Sequence, residues 1–224
     1  MIENKCFVIF GYPRSATKLL ANVLTQSGCH NYGEWYDVWS SYIEGNHAVR
    51  LDKSAIKKNQ ETLRRVDVCR HTIERHNQWL DVDKYSSWTI TIWPDNLRNF
   101  PFLLQSFQNC HWFCTQRNKW DQYLSWIVSR KNQNYNSLYT SDSVTVTKDD
   151  FHDSMVKMTR AKVYQEWILK NLSSSVVLFD DLVSGNFNIG YDYQINTKDE
   201  HTNIENYIIN IDEVKDWYNE LHLT

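Results

Sequence analysis

Apolar positions along the chain follow two rhythms. Four short runs, Cys6–Phe10, Trp88–Trp93, His111–Gln116 and Ser175–Phe179, are dense in Val, Ile and aromatic residues. Between them, apolar residues recur every three to four positions, the period of a helix with one buried face. Short apolar runs alternating with helical stretches predict βαβ units: an α/β fold of three layers, α/β/α, around a mainly parallel central sheet. In such sheets ligands bind beyond the carboxyl ends of the strands, so residues 11–18, 94–96, 117–121 and 180–182 are the positions where chemistry is expected.

The helical stretches can be placed more closely. One begins near Ser15, turns Leu19, Leu20, Val23 and Leu24 inward and stops at Gly28. Trp35, Val38, Trp39, Tyr42 and Ile43 recur at helical spacing, and a strongly basic helical stretch covers 53–80. A helix starting near Lys119 buries Trp120, Tyr123, Leu124 and Ile127. Thr147 and Asp150 form a capping-box pattern that opens a helix through about Asn171. The tail, 185–224, is polar and closes with a short helix around Asp212–Leu221. No composition break divides the chain, so 1–224 is expected to be one domain, with 32–87 and 132–147 as insertions. The polar segment 132–147 has the length of a lid.

Composition narrows the classes of function. With 42% hydrophobic and 23% charged residues among 224, the chain is a globular one able to bury a core. A net charge of -3 gives no global attraction for nucleic acid, so an anion site has to be built locally. No window reaches the roughly 18 apolar residues of a membrane span, and the first apolar run is too short for a signal peptide. The 5 cysteines form no C-x-x-C pair, and Cys110 and Cys114 read as two buried thiols. A cytoplasmic, reduced protein without nucleic-acid or membrane partners is expected; nothing speaks to oligomeric state.

The segment 11-GYPRSATKLL-20 joins the first strand to the first helix. A helix N-terminus offers unpaired N–H groups and the positive end of a dipole, a ready anion site. Gly11 permits the turn, Pro13 fixes φ, Arg14 brings a planar cation, and Ser15, Thr17 and Lys18 add donors. The bland alternative makes Ser15 an N-cap and Arg14 a surface cation. A nucleoside-triphosphate loop would need Gly, Lys and Ser or Thr at positions 16, 17 and 18; the chain has Ala16, Thr17 and Lys18. A second segment, 117-RNKWDQYLS-125, follows the third run. Asp121 and Ser125 are one helical turn apart, and Arg117 at the strand end can face Ser125. An arginine and a hydroxyl there could hold a second phosphate.

Together these segments resemble the sulfotransferases that use 3′-phosphoadenosine-5′-phosphosulfate (PAPS). P-R-S-A-T-K is similar to their P-loop-like phosphosulfate-binding loop, and R-N-K-W-D-Q-Y-L-S to their 3′-phosphate motif R-N-P-x-D-x-x-x-S, matched at Arg117, Asp121 and Ser125. The segment 176-VVLFDDL-182 is similar to the family's strand ending in Y-E-D-L. The resemblance implies that Gly11, Tyr12, Pro13, Arg14, Ser15, Ala16, Thr17 and Lys18 hold the 5′-phosphosulfate of PAPS. It further implies that Arg117 and Ser125 hold the 3′-phosphate, that 3′,5′-ADP (PAP) is the product, and that no metal is needed. Asp121 would orient the junction.

Two positions depart from the family's loop. Ala16 replaces a glycine, tolerable if its φ is helical, and Lys18 replaces a hydroxyl. The histidine base of many soluble members is missing, since Ile92 stands in its place. Glu34, in 33-GEWYDVW-39, resembles in its position soon after the first helix the glutamate of the carbohydrate-type branch and is the expected base, with His30 and Asp37 as fallbacks. Arg14 and Lys18 are expected to stabilise charge on the leaving phosphate. The acceptor would be a carbohydrate or another small hydroxyl compound, with Tyr32, Trp35, Tyr36 and Trp39 as possible walls. Two competing readings are a P-loop NTPase or small-molecule kinase, for which 176-VVLFDD-181 would be a Walker B strand, and a non-catalytic nucleotide-binding relative.

Overall fold

The computed structural model describes residues 6–34, 41–44, 47–50, 87–99, 101–132, 142–188 and 204–222. The first apolar run is strand β1 (Cys6–Phe10), followed by helix α1 (Thr17–Gln26) and a two-residue strand β2 (His30–Asn31). A hairpin of β3 (Ser41–Glu44) and β4 (His47–Arg50) comes next. Then follow β5 (Trp88–Ile92), two short helices α2 (Pro94–Asn99) and α3 (Phe102–Ser106), β6 (His111–Gln116) and α4 (Lys119–Lys131). The chain goes on through α5 (Lys148–Asn171), β7 (Ser174–Leu178), α6 (Phe179–Val183), a 3-10 turn (Ile204–Tyr207) and α7 (Ile211–His222).

The sheet order is β2-β5-β1-β6-β7, and every pairing is parallel. Alternate residues of the central strands therefore feed two cores. Phe7, Ile9, Phe113 and Val177 face Leu20, Val23 and Leu24 of α1 and Leu182 of α6. Val8, Phe10, Ile90, Ile92, Trp112 and Cys114 face Leu97, Leu103 and Phe107 on one side of α5, whose Ile168 closes the layer. This is the expected three-layer α/β/α arrangement. A third core continues past the strands' carboxyl ends, where Tyr12 packs with Tyr123, Leu124 and Ile127 of α4, Phe151 and Met158 of α5, and Val214 of α7.

Most helices stand where periodicity put them. Thr147 caps α5, its Oγ accepting from the Asp150 N–H at 3.2 Å and donating to the Asp150 carboxylate at 2.9 Å. Gly28, at φ 95°, ends α1. The cysteines described, Cys6, Cys29, Cys110 and Cys114, are free thiols, and burial pushes the pKa of Cys114 up to about 12. Among the described residues no helix is long and apolar enough to cross a membrane.

Three expectations need correction. Tyr42 and Ile43 do not continue a helix: they lie in β3, which pairs antiparallel with β4. The β-branched and aromatic content of 41-SYIE-44 and 47-HAVR-50, with Gly-Asn between them, outweighs a helical spacing carried by few positions. Phe179 begins α6 rather than ending a strand. The end of the segment read as a lid is anchored: Val144 is buried, its N–H donates to Tyr207 O at 2.8 Å, and its carbonyl accepts from Ile209 N at 2.9 Å. The basic stretch 53–80, residues 35–40 and 133–141 lie outside the described residues.

Candidate functional site

After β1 the chain turns aside toward β2 and β5, and only later crosses to β6 and β7 on the other flank. The crevice between the carboxyl ends of β1 and β6 is the place where such sheets bind ligands. The 11–17 loop follows β1 on one side of it, and Arg117 follows β6 on the other.

Gly11 is required by close approach. A Cβ there would collide with Thr115 Oγ1 of β6 and with Ser15 Oγ. Ser15 is buried, donates its hydroxyl proton to Tyr12 O at 2.6 Å and is hydrogen-bonded to Thr115 Oγ1 at 2.7 Å. The Ser15 N–H also bonds Tyr12 O, at 3.2 Å. Ser15 is therefore neither the N-cap of α1 nor a donor directed outward; it closes the turn on itself. The N-cap position is held by Ala16, at φ 73°, with no side-chain hydrogen bond, and no acidic residue lies in the first turn. Helix N-termini without a side-chain cap leave N–H donors to be met from outside the helix.

Ala16 was expected to be tolerated if its φ were right-handed. It is left-handed, and so is Arg14 at φ 69°. These two positions flank Ser15, and the Arg14 side chain reaches α4 across the crevice. There Nε donates to Ser125 Oγ at 2.7 Å, joining residues 111 apart in sequence. Ser125 is fully buried on α4. The two segments singled out in the sequence thus meet through this bond. A second tie lies one residue from the second motif's aspartate, Asp121: Gln122 Nε2 donates to Tyr12 O at 3.2 Å and Pro13 O at 3.1 Å.

Arg117 packs on Phe179 at the start of α6. Its guanidinium carbon lies 4.4 Å from the Phe179 ring centroid, over its face. Its Nε is buried and has no hydrogen-bond partner among the described residues. Burial lowers its pKa from the usual arginine value, countered by Asp121 and Asp180, and an arginine so placed stays charged. Asn118 caps α4, accepting from the N–H groups of Trp120 at 2.9 Å and Asp121 at 3.3 Å. A cleft of about 140 Å³ opens between Tyr12, Arg117, Lys119, Gln122, Lys162 and Gln165. Lys18 is exposed on the first turn of α1. Burial, then the charges of Asp153 and Asp95, raise the Tyr12 hydroxyl pKa, so Tyr12 stays protonated and is no base.

Glu34 stands at the same end of the sheet. Thr91 N donates to Gly33 O at 2.8 Å where the continued β2–β5 register would use Tyr32 O, so the chain slips by one residue at Gly33 (φ 64°) just before Glu34. Two strand spacings, roughly 10 Å, separate it laterally from β1. His30 is in β2, on the ring edge of Tyr32; Asp37 lies outside the described residues. Among the described residues no group of three or more His, Cys, Asp or Glu is placed to hold a metal.

The sequence pointed to Arg14, Arg117 and Ser125 but not to Thr115, Gln122, Gln165 or Phe179. Gln165 had a readable signal, since it falls on the buried stripe Phe151–Ser154–Met158–Ala161–Ile168 of α5, where a polar residue needs a partner; it donates to Thr115 O at 2.9 Å.

No family model matches the chain, and no curated protein does. Among solved structures it is similar to the crystal structure of TT1252 from Thermus thermophilus, at 13% identity and a TM-score of 0.40, over 81% of this chain and 93% of that one. A likeness of that degree carries no functional argument.

Proposed function

We propose that the protein transfers a sulfuryl group from PAPS to a hydroxyl of a carbohydrate or other small acceptor. The observation that carries this reading is the Arg14–Ser125 bond, which unites the two motif segments at the β1–β6 crevice. Further support comes from a helix terminus without a side-chain cap and from a charged Arg117 whose buried Nε lacks a partner, both suited to a ligand with phosphate at two ends. The donor supplies an activated sulfuryl group whose S–O bond to phosphate breaks as the acceptor oxygen attacks in line. First-turn N–H groups of α1 and the Arg14 and Lys18 side chains hold the 5′ end and stabilise the charge left on the departing phosphate. Arg117 holds the 3′-phosphate. Glu34 takes the proton of the attacking hydroxyl.

The experiment is transfer of radioactive sulfate from PAPS to a panel of sugars and phenols. Glu34→Gln is expected to lower kcat by about a hundredfold or more with 3′,5′-ADP affinity unchanged, as for loss of a general base. An equal loss of nucleotide affinity would remove Glu34 from that role.

A further inference from the structure

The cleft beside Arg117 has a chemical character that the Arg117–Ser125 pairing does not explain. Three of its lining residues are cationic, and they come from three elements: Arg117 beyond the end of β6, Lys119 at the start of α4, and Lys162 in the middle of α5. None of its lining residues is acidic. The carboxylates nearby stand outside it. Asp121 and Asp180 act on Arg117 through their fields, and Glu166 meets Lys162 at 3.6 Å in an exposed pair of the kind that contributes little. Gln122 and Gln165 also line it, but their amide N–H groups are committed to Tyr12 O, Pro13 O and Thr115 O. The cleft's charged donors are therefore Arg117, Lys119 and Lys162, beside the neutral Tyr12 hydroxyl and Gln116 amide.

Size limits what they can hold. A volume of about 140 Å³ falls well below the several hundred cubic ångströms of a pocket that encloses a small molecule. It suits one anionic group of a ligand whose remainder lies elsewhere, and Tyr12, a residue of the loop, forms part of its wall. Ser125 is not among its lining residues and is bonded to Arg14 instead.

We propose that Arg117, Lys119 and Lys162 form a subsite for a terminal phosphate monoester, and that the two lysines set the preference of this protein for nucleotides phosphorylated at the ribose. Its location is independent of the proposed function; the identity of the ligand rests on that reading. A dianion would meet a stacked guanidinium from one side and two exposed ammonium groups from the others, which raises affinity without demanding fixed lysine geometry.

Lys162 and Lys119 are exposed, so Lys162→Gln and Lys119→Gln are expected to fold. Calorimetry with 3′,5′-ADP and 5′-AMP gives the preference as a ratio of affinities. Lys162→Gln is expected to lower that ratio by about tenfold, the worth of one charge-assisted bond. Affinity for 5′-AMP should hold, and Lys162→Arg should restore the ratio. A ratio unchanged in both glutamine variants would overturn the subsite. Absence of any preference in the unaltered protein would overturn the nucleotide reading instead, and titration with inorganic phosphate, followed by phosphorus NMR, then decides the subsite alone. Weaker phosphate binding by Lys162→Gln supports it; identical curves for the two proteins refute it.

Discussion

Ala16 holds a conformation that its side chain disfavours. At φ 73° its Cβ crowds the following carbonyl, at a cost of about 1–2 kcal/mol, whereas glycine adopts this region freely and loses about 0.5–1 kcal/mol more entropy on folding. Ala16→Gly is therefore expected to raise stability by about 0.5–1 kcal/mol, read as a higher urea midpoint at unchanged slope; a lower midpoint would show that no strain is stored there. The loop pays this cost to aim Arg14, itself left-handed, at Ser125. In the sequence the need for Gly11 was legible because a strand ran straight into a helix. The hand of Ala16 was not, because alanine is the best helix former and gives no sign of positive φ.

At the scale of elements, α4 and α5 do more than cover the sheet. Gln122 of α4 holds two carbonyls of the loop, and Gln165 of α5 holds one of β6. Gln122→Leu keeps the volume and removes both bonds. It should cost about 1–3 kcal/mol, because the Pro13 carbonyl loses its donor, and an unchanged unfolding midpoint would refute the tie. The start of α5 gives a pH test. Hydrogen bonding to Lys131, then to Thr147, lowers the Asp150 pKa from its ordinary value, against the opposing effect of burial. A carboxylate with a depressed native pKa contributes stability that is full above its unfolded pKa, near 4, and is lost as pH falls through the native value. Asp150→Asn should thus lower stability at pH 7 by up to about 1 kcal/mol, and the difference from the unaltered protein should vanish near pH 2. A difference that persists in acid would assign the effect to helix capping by other means. The capping box was readable from Thr147 and Asp150 alone; the Gln122 tie was not, since a glutamine beside a motif aspartate carries no pattern.

For the whole molecule, the parallel sheet was legible because its strands are short, apolar and punctuated by helices. The strand order was not, because parallel pairing depends on crossovers that periodicity does not rank. The tail was undervalued: α7 inserts Val214 into the third core, and Lys215 bonds Glu205 at 2.7 Å, which in turn accepts from Trp120 Nε1 of α4 at 3.0 Å. Its polar character in sequence reflects one exposed helical face, not independence from the fold. The motifs identified Arg14 and Ser125, and the sheet topology brings them together across the crevice. The consequence for ligand choice is direct. On the proposed function, a loop with Ala16, Thr17 and Lys18 in place of a triphosphate signature, with Arg117 after β6, should select a nucleotide phosphorylated at both 3′ and 5′ positions without a metal. The most direct measurement is calorimetry of 3′,5′-ADP in the presence of a chelator against ATP with magnesium, on the unaltered protein and on Arg14→Ala. Binding of 3′,5′-ADP tighter than ATP with magnesium, weakened about tenfold or more by Arg14→Ala, is the predicted result. Preference for ATP with magnesium, or no binding of 3′,5′-ADP, would contradict it.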